Sequence, residues 1–164
     1  DATEAQAENF RKMLLAMSQD VRVILIKLSD RLHNMQTISS LSPSQRTRIA
    51  QETIDIYAPI ANRLGLNTLF RELDDLSFEI LHPLRHKTIQ KAVKASRGNR
   101  KEIVGKILLE IKQKLIASKV KAEISGREKN AASIHRKMIE DHTGFSQIND
   151  IYAFRIIVND FNEC

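Results

Sequence analysis

Four polar residues, Lys27, Asp30, Asn34 and Thr37, recur at offsets of three, four and three in an otherwise apolar stretch. That spacing puts them on one helix face, opposite Leu25, Leu28, Leu32 and Met35. A carboxylate on so apolar a helix must be paired, solvated or bound to something. Two readings are open. In one, Asp30 makes a local contact with Lys27 or Asn34 at a solvated edge. In the other, Asp30 is a ligand for a hard or borderline metal ion, and Asn34 and Thr37 hydrogen-bond beside it. One carboxylate does not make a metal site, and the five histidines (His33, His82, His86, His135 and His142) are too scattered to show the remaining ligands.

A second candidate is Gly126-Arg127-Glu128-Lys129, which follows a predicted strand and opens a predicted helix. Backbone amides and basic side chains in that setting can hold phosphates. A surface turn with solvated charges has the same pattern, and no P-loop or dinucleotide fingerprint accompanies the segment.

The elements that must position these residues follow from periodicity. An acidic then apolar stretch from Glu4 to Met17 reads as a helix end. Residues 21–38 form a helix with Val21 on the leucine stripe, and Val23, Ile24 and Ile26 make it apolar nearly all round, which predicts a buried helix. Ser42-Pro43 starts the next helix, the hydroxyl capping and Pro at the first position. It runs through Ile49, Thr53, Ile56, Ile60 and Leu64, bends near Pro59 and stops at Gly65. Leu66, Leu69, Leu73, Leu76 and Ile80 form another stripe. A basic helix spans residues 84–96, and Asn99 opens a further one, with Glu102 as capping-box partner and Ile103, Ile107, Ile111 and Leu115 as its apolar face. From Lys119 the period becomes two: Val120, Ala122 and Ile124 predict a strand, broken by Gly126. A helix with Ile134 and Met138 follows. Residues 151–158 then read as a strand covered on both faces, so residues 119–164 look like the start of an α/β domain.

Composition bounds the function. Of 164 residues, 42% are apolar, enough for a sizeable core. No stretch suits a membrane span, and the opening residues lack a signal-peptide pattern. The single cysteine, Cys164, rules out an internal disulfide and fits a reducing compartment. Aromatics are only 5%, which argues against base stacking as a main binding mode. The net charge of +6 is uneven: residues 85–137 carry sixteen Lys/Arg against four Asp/Glu, whereas residues 1–84 carry nine against eleven and residues 138–164 one against five. The basic middle suggests an anionic partner, nucleotide phosphate, nucleic acid or acidic protein. The turn Ala95-Ser-Arg-Gly-Asn-Arg-Lys101, where three cations meet, is its most pointed candidate contact.

The string Val23-Ile-Leu-Ile-Lys-Leu-Ser-Asp-Arg-Leu-His-Asn-Met35 closely resembles the hydrolase domain of RelA/SpoT-type enzymes of the bacterial stringent response. The resemblance includes Ala7-Glu-Asn-Phe-Arg-Lys-Met-Leu-Leu-Ala-Met17, Tyr57-Ala-Pro-Ile-Ala-Asn-Arg-Leu-Gly65, Ala95-Ser-Arg-Gly-Asn-Arg-Lys-Glu102, Gly126-Arg-Glu-Lys129 and Asp150-Ile-Tyr-Ala-Phe-Arg-Ile-Ile-Val158, in family order along essentially the whole chain. Bifunctional, SpoT-like members pair an all-helical HD-type hydrolase, which uses manganese to remove the 3′-diphosphate of (p)ppGpp, with a synthetase that moves pyrophosphate from ATP to GDP or GTP with magnesium.

The resemblance therefore implies a mainly α chain in three parts. Residues 1–82 are the C-terminal part of the HD-type hydrolase domain with a central helical bundle, and residues 83–118 are basic connecting helices. Residues 119–164 are the truncated start of an α/β nucleotidyltransferase-like synthetase domain. It makes Asp30 the last manganese ligand of the hydrolase and places Asn34 and Thr37 in its nucleotide pocket. Gly126, Arg127, Lys129, Ser133 and Lys137 match the segment that holds the ATP phosphates, and Asp150 its magnesium carboxylate. Lys129, Ser133 and Lys137, spaced by four, are expected on one helix face. The implied ligands are (p)ppGpp, GDP/GTP and ATP, with contacts to the ribosome or a regulatory protein through parts of the full-length protein, no membrane, and a cytoplasmic location. The family's earlier metal ligands, a His and a His-Asp pair, precede the counterpart of Asp1, so neither catalytic set is complete in this stretch, which is expected to be inactive by itself.

One segment departs from the family pattern. Asn130-Ala131-Ala132 and His135 stand where the family has a His, an x-Tyr and a later aromatic, which removes packing surface and predicts a weak or lost synthetase. The competing function is a non-catalytic basic helical module that binds RNA or a protein partner, and a third is a regulatory remnant whose two sites only exchange conformational information.

Overall fold

The computed structural model describes residues 11, 20–96, 100–148 and 150–160. The expected helix end over residues 4–17 lies almost wholly outside them, as do Asn99 with its capping box and the centre of the Ala95–Lys101 turn. The chain is mainly helical and divides into two compact units, residues 1–81 and 82–164.

Among the described residues the first unit has only helices and turns. Helix α1 (Val21–Gln36) begins at Asp20, whose carboxylate accepts from the Arg22 amide, and is followed by a 3-10 turn, Ile38–Ser40. Helix α2 (Pro43–Glu52) has the expected Ser42 cap and Pro43 in its first turn, and Gln45 completes a capping box with Ser42. Helices α3 (Ala58–Arg63) and α4 (Asn67–Leu81) complete the unit. Between α2 and α3 the backbone widens into a π-helical turn, Thr53–Tyr57, in which the Ala58 amide donates to the Thr53 carbonyl. The expected bend at Pro59 takes this form because Pro59 has no N–H and its ring crowds the carbonyl four residues back, so the chain opens one step ahead of it. The core joins Ile24, Leu28 and Met35 of α1 to Ile38, Ala50, Ala58, Ile60, Ala61 and Leu73.

That core corrects the predicted stripe. Helix α1 is not buried all round: Leu28 is fully buried, but Leu25 is 41% and Ile26 68% exposed. The inward line is Ile24, Leu28 and Met35 with Leu32 partly buried against it, so Leu28, Leu32 and Met35 keep the predicted stripe and Ile24 takes the place of Leu25. Helix α4 packs on α1 and brings Leu73 into the same core.

The second unit contains helices α5 (Pro83–Ser96) and α6 (Arg100–Ala117), strand β1 (Ala122–Glu128), helix α7 (Ala131–Glu140), a 3-10 turn (Phe145–Gln147) and strand β2 (Tyr152–Val158). The strands pair antiparallel, from Ala122 opposite Val158 to Glu128 opposite Tyr152. Helix α5 packs on α7 and α6 on β1. Two expectations are overturned here. Gly126 does not break the strand but lies inside it, opposite Phe154, with Leu108 and Phe154 in ordinary contact range of an added Cβ. Strand β2 is not covered on both faces among the described residues: Ile156 and Ile157 are about half exposed. In a two-stranded sheet, the continuous apolar run reports β propensity more than burial.

Three helices end in the same six-residue turn. After α3, Gly65 takes φ +73°, its amide bonds to Asn62 and the next amide, Leu66, to Ala61. After α6 the same bonds run from Lys119 to Ile116 and from Val120 to Leu115. After α7 they run from His142 to Ile139 and from Thr143 to Met138. Lys119 and His142 hold φ of 59° and 50°, a left-handed conformation that glycine adopts without a Cβ clash.

Candidate functional site

Each unit presents one cluster of the predicted residues. On α1, the buried line of Ile24, Leu28 and Met35 turns Lys27, Asp30, Asn34 and Thr37 outward, and all four are exposed. The Asn34 amide Nδ2 donates to Asp30 Oδ2 at 3.2 Å, and the Thr37 hydroxyl donates to the His33 carbonyl at 2.9 Å, closing the helix. Of the two readings of this face, the local Asp30–Asn34 contact is therefore present. It is also compatible with the metal reading, since an amide on one carboxylate oxygen orients the group without using it up. Asp30 is one hard oxygen donor, which fits a metal site as a single ligand. No cluster of three His, Cys, Asp or Glu exists among the described residues.

The helix face is held in place from behind. Arg31 is largely buried and forks onto Glu52 of α2, with Nη1 to Oε2 at 3.3 Å and Nη2 to Oε1 at 3.2 Å. Its guanidinium also lies 4.0 Å from the centroid of the Tyr57 ring in the π-helical turn. Arg's planar fork suits this double contact, which lysine could not reproduce. No spacing rule pointed to Arg31, because its partners lie 21 and 26 positions away across the widened turn.

In the second unit, Lys129 Nζ and Lys137 Nζ both donate to Asp150 Oδ2, at 2.6 and 2.5 Å. Lys129 precedes α7 rather than sharing its face, which corrects the expected run of Lys129, Ser133 and Lys137 on one helix. The β ladder makes the cluster: the Lys129 amide donates to the Ile151 carbonyl at 2.8 Å, one step beyond the Glu128–Tyr152 pair, so β2 returns Asp150 beside Lys129. The two ammoniums hold the Asp150 carboxyl well below its ordinary range, at about 2, and Asp150 in turn raises Lys137.

The other matched positions have structural duties. Gly126 and Arg127 lie in β1, so they do not open a helix as expected; the helix opens at Asn130, whose Oδ1 accepts from the Ser133 amide at 3.0 Å. Asn130 thus caps α7, a role its side chain fills well. Ala131 and Ala132 are buried beside Ile134. His135, expected only as a lost aromatic, joins a cluster that the scattered histidine positions gave no sign of. Its ring centroid lies 6.0 Å from that of His82, and its Nε2 lies 3.3 Å from Arg85 Nη1. Burial, then the charges of Arg85 and His82, lower its pKa below the ordinary imidazole value.

With both clusters in place, comparison with known proteins is decisive. A family model described as an HD domain matches residues 1–67, and one described as a region found in RelA / SpoT proteins matches residues 126–164. The chain is 55% identical over all 164 residues to the bifunctional (p)ppGpp synthase/hydrolase SpoT of Escherichia coli K12, of which it covers 23%. Along its whole length the chain is similar to RelA/SpoT proteins.

Other RelA/SpoT relatives carry the names of both activities. A guanosine-3′,5′-bis(diphosphate) 3′-pyrophosphohydrolase of Vibrio cholerae is 52% identical over the whole chain, which covers 23% of it. A GTP pyrophosphokinase of Myxococcus xanthus is 46% identical over 98% of the chain, which covers 21% of that protein. The chain thus spans roughly a quarter of the length of these RelA/SpoT relatives. No helix among the described residues is long and apolar enough to cross a membrane.

Proposed function

We propose that the chain belongs to a cytoplasmic stringent-response enzyme that hydrolyses (p)ppGpp, with Asp30, Asn34 and Thr37 serving the hydrolase. On this reading residues 1–82 finish the HD-type domain, residues 83–118 connect, and residues 119–164 begin the synthetase domain. The observation that supports it best is the outward-facing Asp30–Asn34 pair on a helix whose other side is a packed core. The pair falls within the segment matched by the HD-domain model.

Bound at Asp30 with ligands from elsewhere in the protein, manganese would orient a water and offset charge on the departing diphosphate. This chain's part is narrower. Asp30 offers one carboxylate, the Asn34 amide fixes its rotamer, and Arg31 holds the helix against Glu52 and Tyr57 so that the carboxylate faces the site.

The second unit is assigned to the synthetase, with Gly126, Arg127, Lys129, Ser133 and Lys137 on the ATP phosphates. Asp150 would hold a magnesium ion through its other oxygen, with the Lys129 and Lys137 ammoniums competing at Oδ2. Together with Ala132 and His135 in place of aromatics, this supports weak or absent synthesis. Binding tests the assignment: guanosine tetraphosphate should bind the full-length protein with clear preference over GMP. Binding that ignores nucleotide identity and falls steeply between about 50 and about 200 mM salt would instead mark the basic region as an RNA-binding module.

A further inference from the structure

We propose that the phosphate-binding segment of the second unit is closed by its own side chains: the Asp150 carboxylate and the Asn130 amide oxygen stand where phosphate oxygens would accept, and polyphosphate binds only by displacing Asp150. The inference rests on reading Lys129 and Lys137 as phosphate ligands and adds how that site is regulated.

Three donors that a phosphate would use are already engaged. Lys129 Nζ and Lys137 Nζ both reach Asp150 Oδ2, and the Ser133 amide in the first turn of α7 is taken by Asn130 Oδ1. These accepting atoms are built in. The Lys129 amide bond to the Ile151 carbonyl pins the backbone next to Asp150, so its carboxylate can leave only by side-chain rotation. Asn130 is fixed as the residue that starts α7.

The cluster is nevertheless open to solvent. The side chains of Lys129, Lys137 and Asp150 are 24%, 34% and 46% exposed, so an anion can approach the same two ammoniums. An incoming phosphate oxygen exchanges one charge-assisted hydrogen bond for another of similar strength, and the net gain is small. Removing the carboxylate reverses that balance. Two ammoniums brought to a common point then repel each other, and a polyphosphate becomes their best partner. A carboxylate that served the anion through a bound cation would behave in the opposite sense, since losing it would weaken binding.

The test is calorimetric titration of inorganic tripolyphosphate into the full chain, once with a chelator and once with magnesium present, the expected gains below holding in both and a loss of binding with magnesium contradicting closure. Asp150→Asn, nearly isosteric, is expected to bind on the order of tenfold more tightly than the unmodified chain. Asp150→Ser provides an independent variant with the same expected direction, and adding Lys129→Gln and Lys137→Gln to Asp150→Asn is expected to abolish the gain. If neither Asp150 variant binds more tightly while the lysine substitutions still remove binding, the closure proposal fails and the phosphate-site reading stands. If binding persists without both lysines, the anion sits elsewhere and both fail.

Discussion

The Asn34 amide reaches the Asp30 carboxylate across one turn of α1, at 3.2 Å, with both side chains facing solvent. Neither contributes to the core, so the pair separates function from stability. Asn34→Ala is expected to change unfolding free energy by no more than about 0.5 kcal/mol. If the amide orients a metal-binding carboxylate, the same change should lower (p)ppGpp hydrolysis by the full-length protein about 10- to 100-fold. Chemical denaturation and a hydrolysis assay on one preparation read both, and unchanged hydrolysis would remove Asn34 from the site.

The replacement of Leu25 by Ile24 on the inward line of α1 has a direct energetic signature. Leu28 is fully buried among Ile24, Met35 and Leu73, whereas Leu25 is 41% exposed. Leu28→Ala should cost about 3 kcal/mol through lost burial and the cavity left behind. Leu25→Ala should cost less than about 1 kcal/mol. Equal losses in urea denaturation would restore the stripe that periodicity suggested.

The helix-ending turns offer stabilising substitutions. Lys119 and His142 occupy the left-handed position that Gly65 occupies after α3. Lys119→Gly and His142→Gly should each stabilise by up to about 1 kcal/mol, as relief of the Cβ clash outweighs the added freedom of the unfolded chain. Gly65→Ala should destabilise by about 1 kcal/mol even though nothing lies within 4 Å of its added Cβ. Thermal unfolding of the three variants decides, and a loss at both Lys119 and His142 would contradict the account.

His135 carries a pH signature. Burial, followed by the neighbouring Arg85 and His82 charges, sets its folded pKa below 6.5. An imidazole depressed in the folded state leaves the unfolded chain binding more protons as pH falls. Its contribution to stability is therefore full above 6.5 and is lost as pH drops through the folded value. An NMR titration of the His135 ring should give a midpoint below 6.5, moving upward in Arg85→Ala. A midpoint at or above 6.5 would show that neither burial nor Arg85 governs the ring.

Much of this arrangement is legible in the sequence because it is local. The Ser42 cap, the Gly65 stop and the outward face of Asp30, Asn34 and Thr37 all follow from spacing within a few turns. What escaped depends on partners far along the chain. Glu52 and Tyr57 decide what Arg31 does, and the return of β2 decides that Lys129 and Lys137 meet Asp150. Gly126 misled because a glycine in a strand and a glycine that ends one look alike until the partner strand, here Phe154, is known. The left-handed Lys119 and His142 gave no signal because neither is the glycine that usually marks such turns.

The central claim is that Asp30 is a metal-binding carboxylate of a (p)ppGpp hydrolase. Its most direct test is manganese-dependent (p)ppGpp hydrolysis by the full-length protein carrying Asp30→Ala, with folding checked by circular dichroism. The account predicts a folded protein that has lost hydrolysis and no longer responds to manganese. Degradation at the original rate with manganese present would contradict it.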